Sequence, residues 1–399
     1  MKKKTAILLI TAVVAIAAAL AFTACSTTQV TFDLNGGTLD GSGENAVISA
    51  SGKLDLSTVL PEKEDAEISG WTDEEGNFYG AYSVIEPVEG MVLTAVYKGV
   101  MKFTRVDDGY CVSVTEGYAE ENVVIPEKYN DLPVTEVAEN AFAGCTSIKT
   151  MRIPDSVKRV GKGALSGCTS LESIVMPFVG ASVSDSADAP NSNMAYMFGH
   201  SSGSSWTQNY NIAQISVTDA ATSIPAGAFE GMKSLKYVNL GKNITAIGQR
   251  AFQNCSNLLS VTLPEKCTAI GGYAFYNCSK AQITVKGTIT SLGSNSFYTS
   301  GLKEITLGEG LTSIPANCFE GSSLRAITLP STIKSVGRSA FRNCESLISV
   351  TTNSTVELNA SAFNGCKKLT DAGLAGPEFT FAEGARQTAF GNTNVTKYN

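Results

Sequence analysis

The chain has 399 residues, with 30 Lys and Arg against 37 Asp and Glu, a formal charge of −7 and a single His. An acidic chain with no basic cluster argues against a nucleic-acid partner, whose phosphates need Lys and Arg. Charged residues make up only 17%, and Ser, Thr, Gly and Asn are plentiful, which suits a β-rich exported protein rather than a helical cytosolic one.

Met1-Lys2-Lys3-Lys4 is followed by an apolar run from Thr5 to Ala24. A basic start, an apolar stretch and small residues before a break predict an export signal over residues 1–24. Phe22-Thr23-Ala24-Cys25 resembles a bacterial lipobox, although Phe22 stands where that family usually has Leu. The resemblance implies that Cys25 is lipidated, becomes the first mature residue and anchors the protein at the cell surface. Two alternatives stand beside it. Ala19-Leu20-Ala21 offers an ordinary signal-peptidase site, hence a secreted protein. The apolar run is also nearly long enough to span a bilayer uncleaved. Loss of Lys2, Lys3 and Lys4 with the signal takes the formal charge from −7 to −10.

Residues 25–98 form the next zone. Alternation in Val30, Phe32 and Leu34 predicts a half-buried strand, and Asn35-Gly36-Gly37 predicts the turn that ends it. The segments from Phe32 to Thr38, from Gly70 to Tyr79 and from Leu93 to Tyr97 resemble the Listeria–Bacteroides repeat, also called the internalin B-type repeat. Tyr97 stands where that family often has Trp. The resemblance implies a small β-grasp-like module of bacterial surface proteins, with Trp71 in its core.

Residues 99–140 read as an N-terminal cap for a repeat region. Asp107-Asp108-Gly109 between two alternating stretches predicts a hairpin. From residue 141 to 399 the sequence repeats. Phe229, Phe252, Phe275, Phe297, Phe319, Phe341 and Phe363 recur every 22–23 residues. A fixed period of that length predicts a solenoid whose repeats bury their apolar faces against one another. The segment Leu302–Leu307 reads as a short parallel strand, with Leu302, Ile305 and Leu307 inward and Glu304 and Thr306 outward. Ala316-Asn317-Cys318-Phe319 then reads as a tight return into the core. The period stretches around Phe198, so a Ser/Asn/Gly-rich insertion is expected at about 180–211. Ala389-Phe390-Gly391-Asn392 reads as a truncated last repeat. The pattern Ala-Phe-x-x-Cys-x-x-Leu-x-x-Ile-x-Leu-Pro resembles the BspA-like leucine-rich repeats of bacterial surface proteins. The fold class is therefore mainly β, a leucine-rich-repeat solenoid of parallel strands preceded by a small β-grasp-like module.

Cys145, Cys168, Cys255, Cys278, Cys344 and Cys366 share one repeat position. Neighbouring rungs would hold their Cβ vectors parallel and farther apart than the ~3.8 Å a disulfide prefers. A ladder of reduced core thiols is expected, with a disulfide among them as the alternative. There is no Cys-x-x-Cys, so no metal site is expected. His200 lies in the insertion with no Ser–His–acid arrangement around it and reads as a solvated loop residue. Phosphate-binding Gly motifs are absent. Neither catalysis nor a cofactor is implied.

Thr262, Thr284, Thr306, Thr328 and Thr351 occupy one outward strand position in five successive repeats. Thr is a good β-former on an exposed sheet, and the same column would also give a flat, hydroxyl-rich strip. The family resemblance implies adhesion or protein–protein interaction through a large concave sheet, with a host, matrix or neighbouring-cell protein as partner. The candidate face comprises Tyr237, Asn239, Thr262, Thr284, Glu304, Thr306, Thr328 and Thr351. Trp206 and Tyr210 make a candidate loop. A glycan- or envelope-binding module and a passive surface spacer are the alternatives. Contact with the membrane is expected only through the N-terminal lipid.

Overall fold

A computed structural model describes residues 27–183, 191–201 and 205–398. The export signal, Cys25 and the Trp206 side chain lie outside the described residues. The chain divides into two compact units, one ending at Tyr97 and one beginning at Lys98.

The first unit is a mixed five-stranded sheet. Its strands are β1 (Thr28–Asp33), β2 (Ala46–Ala50), β3 (Ala66–Thr72), β4 (Phe78–Gly80) and β5 (Met91–Gly99), in the order β2-β1-β5-β3-β4. β1 and β5 run parallel at its centre, with Val30 opposite Met91 and Phe32 opposite Leu93. The alternating Val30, Phe32 and Leu34 are all buried. Asn35 and Gly36 take positive φ to turn the chain, and the Gly37 amide closes the turn on the Leu34 carbonyl at 2.8 Å. The Tyr97 hydroxyl donates to that same carbonyl from β5, at 2.9 Å. Trp71 is buried edge-on to Phe32, with ring centroids 4.8 Å apart.

The second unit is the solenoid. Its entry is a hairpin, Met101–Val106 against Gly109–Val114, closed across Val106 and Gly109 as the Asp-Asp-Gly signal predicts. The main ladder is parallel: β6 (Asn122–Val124), β7 (Thr150–Arg152), β8 (Ser173–Met176), β9 (Gln214–Val217), β10 (Tyr237–Leu240), β11 (Ser260–Leu263) and β12 (Gln282–Val285). Later rungs are β13 (Thr288–Ile289), β14 (Thr306–Leu307), β15 (Ala326–Leu329), β16 (Ser349–Thr352) and β17 (Leu374–Ala375). A second parallel ladder of two-residue strands runs from Ser223–Ile224 through Ala246–Ile247 and Ala269–Ile270 to Ser291–Leu292.

The repeated Phe holds the interior together. From Phe252 to Phe363 each ring stacks on the next at 5.0–5.7 Å with planes within 13°. Each Phe amide donates to the carbonyl of the residue before the next Phe, as in Phe252 to Ala274 (2.8 Å) and Phe341 to Ala362 (2.8 Å). Ala, Ser or Cys stands at that position in the repeats from Phe229 onward.

Two residues after each Phe the chain enters the left-handed region. Gly231, Gly321 and Gly365 occupy this position, as do Asn254, Asn277, Asn343 and Asn392, types that tolerate it. Thr299 is the exception, a β-branched residue at φ 48. Thr299→Asn is expected to stabilise the solenoid by about 1 kcal/mol, read as a higher urea midpoint with unchanged slope.

The insertion is not all surface loop. Asn193 caps the short helix Met194–Met197 by accepting from the Tyr196 amide at 3.2 Å. Met194, Met197, Phe198 and Ile212 are buried, so this stretch supplies a core layer of its own. β8 pairs directly with β9, Ser173 opposite Gln214, so the ladder closes behind the insertion. Among the described residues no helix is long and apolar enough to cross a membrane.

Candidate binding face

The strand face carries the sequence-predicted residues unevenly. Tyr237 is exposed at 47% and lies between Gln214 and Ser260 on its neighbouring strands. The Asn239 amide donates to the Ser216 hydroxyl at 3.1 Å, one rung away. Thr262 and Thr284 are exposed and in register across β11 and β12. Thr328 is exposed and in register with the half-buried Thr351 across β15 and β16.

Thr306 breaks the expected column. It pairs with Thr288 of β13 and not with Thr284 of β12. Glu304 and Thr306 are exposed, Leu302 and Leu307 are buried, and Ile305 is only half-buried, because the strand leaves the ladder there. Three shallow clefts result along the face. One of about 290 Å³ is lined by Tyr237, Asn239 and Thr262. The next, about 350 Å³, lies between β12 and residues 301–306. A third, about 420 Å³, joins Glu304 and Thr306 to Thr328. Thr351 lines none of the three.

Tyr210 needs a correction. It was expected on an exposed loop, but it is buried with its ring 4.4 Å from Phe198, and its oxygen accepts the Gly167 amide at 3.0 Å. Tyr210 packs on Phe198 at the rung where the sequence spacing of the Phe column is stretched. It is therefore not available to a ligand. His200 is exposed.

The nine described cysteines are free thiols. Their role is one that spacing did not reveal. Cys168, Cys255, Cys278, Cys344 and Cys366 each donate to the carbonyl of the Phe one repeat earlier, at 2.9–3.2 Å. Ser300 and Ser322 hold the same position in two repeats without making this bond: the Ser300 hydroxyl has no hydrogen-bond partner and the Ser322 hydroxyl meets the Cys344 thiol at 3.5 Å. Burial pushes the Cys168, Cys278 and Cys318 thiols up to about 12. Among the described residues no group of three or more His, Cys, Asp or Glu lies close enough to hold a metal ion.

Some charges on the solenoid are paired rung to rung. Lys242 bonds Asp219 at 2.7 Å and holds its carboxyl below the usual range, and Lys367 does the same for Glu345 at 2.6 Å. Such exposed pairs contribute little stability. Lys303 in the middle cleft, Lys286 in the adjoining one and Arg325 one rung beyond Lys303 are exposed, and among the described residues none of them makes an ion pair.

A family profile described as BspA type leucine rich repeat region matches in six copies over residues 120–194, 202–286 and 268–396. A comparison with curated proteins finds no match. Among solved structures, a leucine-rich repeat protein from Bacteroides ovatus is similar at 22% identity and a TM-score of 0.46, over 75% of this chain and 80% of that one. A leucine rich cell surface protein from Faecalibacterium prausnitzii is similar at 20% identity and a TM-score of 0.32, over 73% and 96%. The leucine rich repeat protein of T. pallidum shows 22% identity and a TM-score of 0.29, over 68% and 89%. The profile covers more than half of the chain, and the chain belongs to the BspA-type leucine-rich repeat family.

Proposed function

We propose that this is a cell-surface lipoprotein, anchored through Cys25, that binds a protein partner on the strand face of its solenoid. The first unit is a β-grasp-like repeat of the internalin B type that stands before the binding unit. Its mixed sheet with a central parallel pair and a buried Trp71 supports that assignment. The role is adhesive and non-catalytic.

The observation that carries the binding role is the strand face itself. Rungs from Tyr237 to Thr328 present short hydroxyl, amide and charged side chains over three adjoining shallow clefts. A broad face of this kind buries area against another protein without an enclosed pocket. The glycan reading loses one of its aromatics, since Tyr210 belongs to the core.

The test is saturation binding of residues 26–399 to matrix proteins, mucin and polysaccharides. A protein ligand should bind saturably. The exposed pair Thr262→Glu and Thr328→Glu should weaken it about ten-fold or more, as removal of central contacts does, with an unchanged circular dichroism spectrum. Full retention by that variant would move the site off this face, and binding to polysaccharide alone would favour the glycan reading. Separately, labelled palmitate should enter the full-length chain in a bacterial host, and Cys25→Ser should abolish the label and release the protein from membranes.

A further inference from the structure

The repeat spanning residues 281–301 differs from its neighbours, and one local cause accounts for the main difference. In flanking repeats the main strand ends in a tight turn. There the amide of Ile244 donates to Gly241, Cys267 to Pro264, Leu311 to Gly308 and Ile333 to Pro330, at 3.0–3.3 Å. The corresponding residues here are Ile289 and Lys286, and no such bond joins them. Lys286 has replaced the Pro or Gly, and Thr288-Ile289-Thr290 is a β-branched run that favours extended chain. The chain therefore runs on as the extra strand β13. β14 pairs with β13, Thr288 opposite Thr306 and Ile289 opposite Leu307, and is drawn away from β12.

A wedge opens as a result. On one side the main-chain ladder is continuous, with Gln282 donating to Leu259 at 2.9 Å; on the other, Arg325 donates to Lys303 at 3.2 Å, although β14 forms no ladder with β15. Between them, no main-chain bond joins residues 282–285 to residues 302–306. The return turns stay bonded, Phe275 to Ser296 at 2.7 Å and Phe297 to Cys318 at 2.8 Å. The hinge is thus at the Phe stack, where spacing widens to 5.5 and 5.7 Å from 5.0 and 5.1 Å on either side. The cleft of about 350 Å³ lies on the strand side. The same repeat contains the strained Thr299 and the buried Ser300 hydroxyl, which has no hydrogen-bond partner. The gap in the main-chain ladder, with a buried unpartnered hydroxyl in the same repeat, points to a site.

We propose that an extended, acidic segment of the protein partner docks in this wedge and adds a strand along the free edge of β12. This rests on the strand-face proposal and names its centre. An unpaired strand edge is a template for another strand, whose main chain supplies the missing hydrogen bonds. The sign of the partner follows from the rim. Lys303 and Glu304 line the wedge, Lys286 lines the adjoining cleft and Arg325 is bonded through its amide to Lys303; among the described residues none of the three cations makes an ion pair. Glu309 lies in the next cleft, where Ser331 and Thr332 donate to its carboxylate.

The experiment has two arms on residues 26–399. Hydrogen exchange of the free protein should show amides in 302–306 exchanging about ten-fold or more faster than those in 260–263 and 326–329. Equal protection would mean a closed wedge and would overturn the proposal without touching the strand-face reading. A displayed dodecapeptide library is then panned on the intact protein. Acidic peptides should be selected, should slow exchange at 302–306, and should bind about ten-fold more weakly after alternate backbone N-methylation. The exposed Thr284→Trp, which fills the cleft, and Lys286→Pro, which restores the turn, should each weaken them similarly. The proposal fails if no peptide is selected, or if those selected tolerate N-methylation and both variants. A partner lost to Thr262→Glu with Thr328→Glu but indifferent to Thr284→Trp would keep the face and remove the wedge.

Discussion

Phe341→Ala is expected to lower the stability of the solenoid by about 3–5 kcal/mol through the lost ring and the cavity left behind. Phe341 is fully buried between Phe319 at 5.1 Å and Phe363 at 5.0 Å. Each of these pairs adds about 0.5–1.5 kcal/mol beyond its buried area. The cavity cannot collapse easily, because each neighbouring ring is fixed by its own rung. The Phe341 amide is bonded to Ala362 at 2.8 Å, and its carbonyl accepts the Cys366 thiol at 3.0 Å. The backbone there cannot shift without breaking both. A folded domain has only about 5–15 kcal/mol in hand, so this loss is a large share. Repeats contact only their neighbours, so the damage should also be local. Urea unfolding should split into two transitions, and limited proteolysis should cut first beyond residue 341. Phe341→Leu should cost about half as much, since most of the volume remains. A midpoint shift worth less than about 1 kcal/mol for the Ala variant would show that the stack is not what couples the rungs.

The spacing of Phe made this stack legible, because a core that repeats every rung forces one residue type into one position. The Cys column was legible as a packing position for the same reason. Its thiol bond to the preceding Phe carbonyl was not, since spacing is silent about where a donor points. The broken column at Thr306 was hidden for a different reason. Phe275, Phe297 and Phe319 are evenly spaced by 22 residues, so the period looks undisturbed. The change lies between the landmarks, in Lys286-Gly287-Thr288-Ile289, where a turn has been replaced by extended chain. Tyr210 was misplaced because its surroundings are polar. One aromatic in a Ser- and Asn-rich stretch packs on the core ring of Phe198, and composition averages that away. The face residues Thr262, Thr284 and Thr328 were readable from strand alternation alone. The identity of a partner was not, because outward side chains leave no trace of the surface they meet.

Raising the pH from 9 to 11 is expected to unfold the solenoid cooperatively. Cys168, Cys278 and Cys318 are fully buried, and burial pushes each thiol from an ordinary 9.0 up to about 12. Cys267 is pushed to about 11 by the same cause. The folded state therefore holds these protons more tightly than the unfolded chain does. Their stabilising contribution is fully present below the unfolded value near 9 and is lost as pH rises through the folded values. At pH 11 each of the three higher thiols has given up roughly 2–3 kcal/mol. Together that is comparable with the whole stability of a domain. The same burial protects these unpaired thiols from oxidants, since that reaction needs the thiolate. Among the nine described cysteines only Cys111, half-buried at the start of the solenoid, should react with a thiol reagent in the native protein. The check is a pH titration followed by circular dichroism and thiolate absorbance together. Both should change in one step, and Cys278→Ala with Cys318→Ala should move that step to higher pH even though it costs packing at neutral pH. A step at the same pH in that variant would place the alkaline weakness in the tyrosines instead, of which Tyr118 is itself pushed up to about 12 by burial.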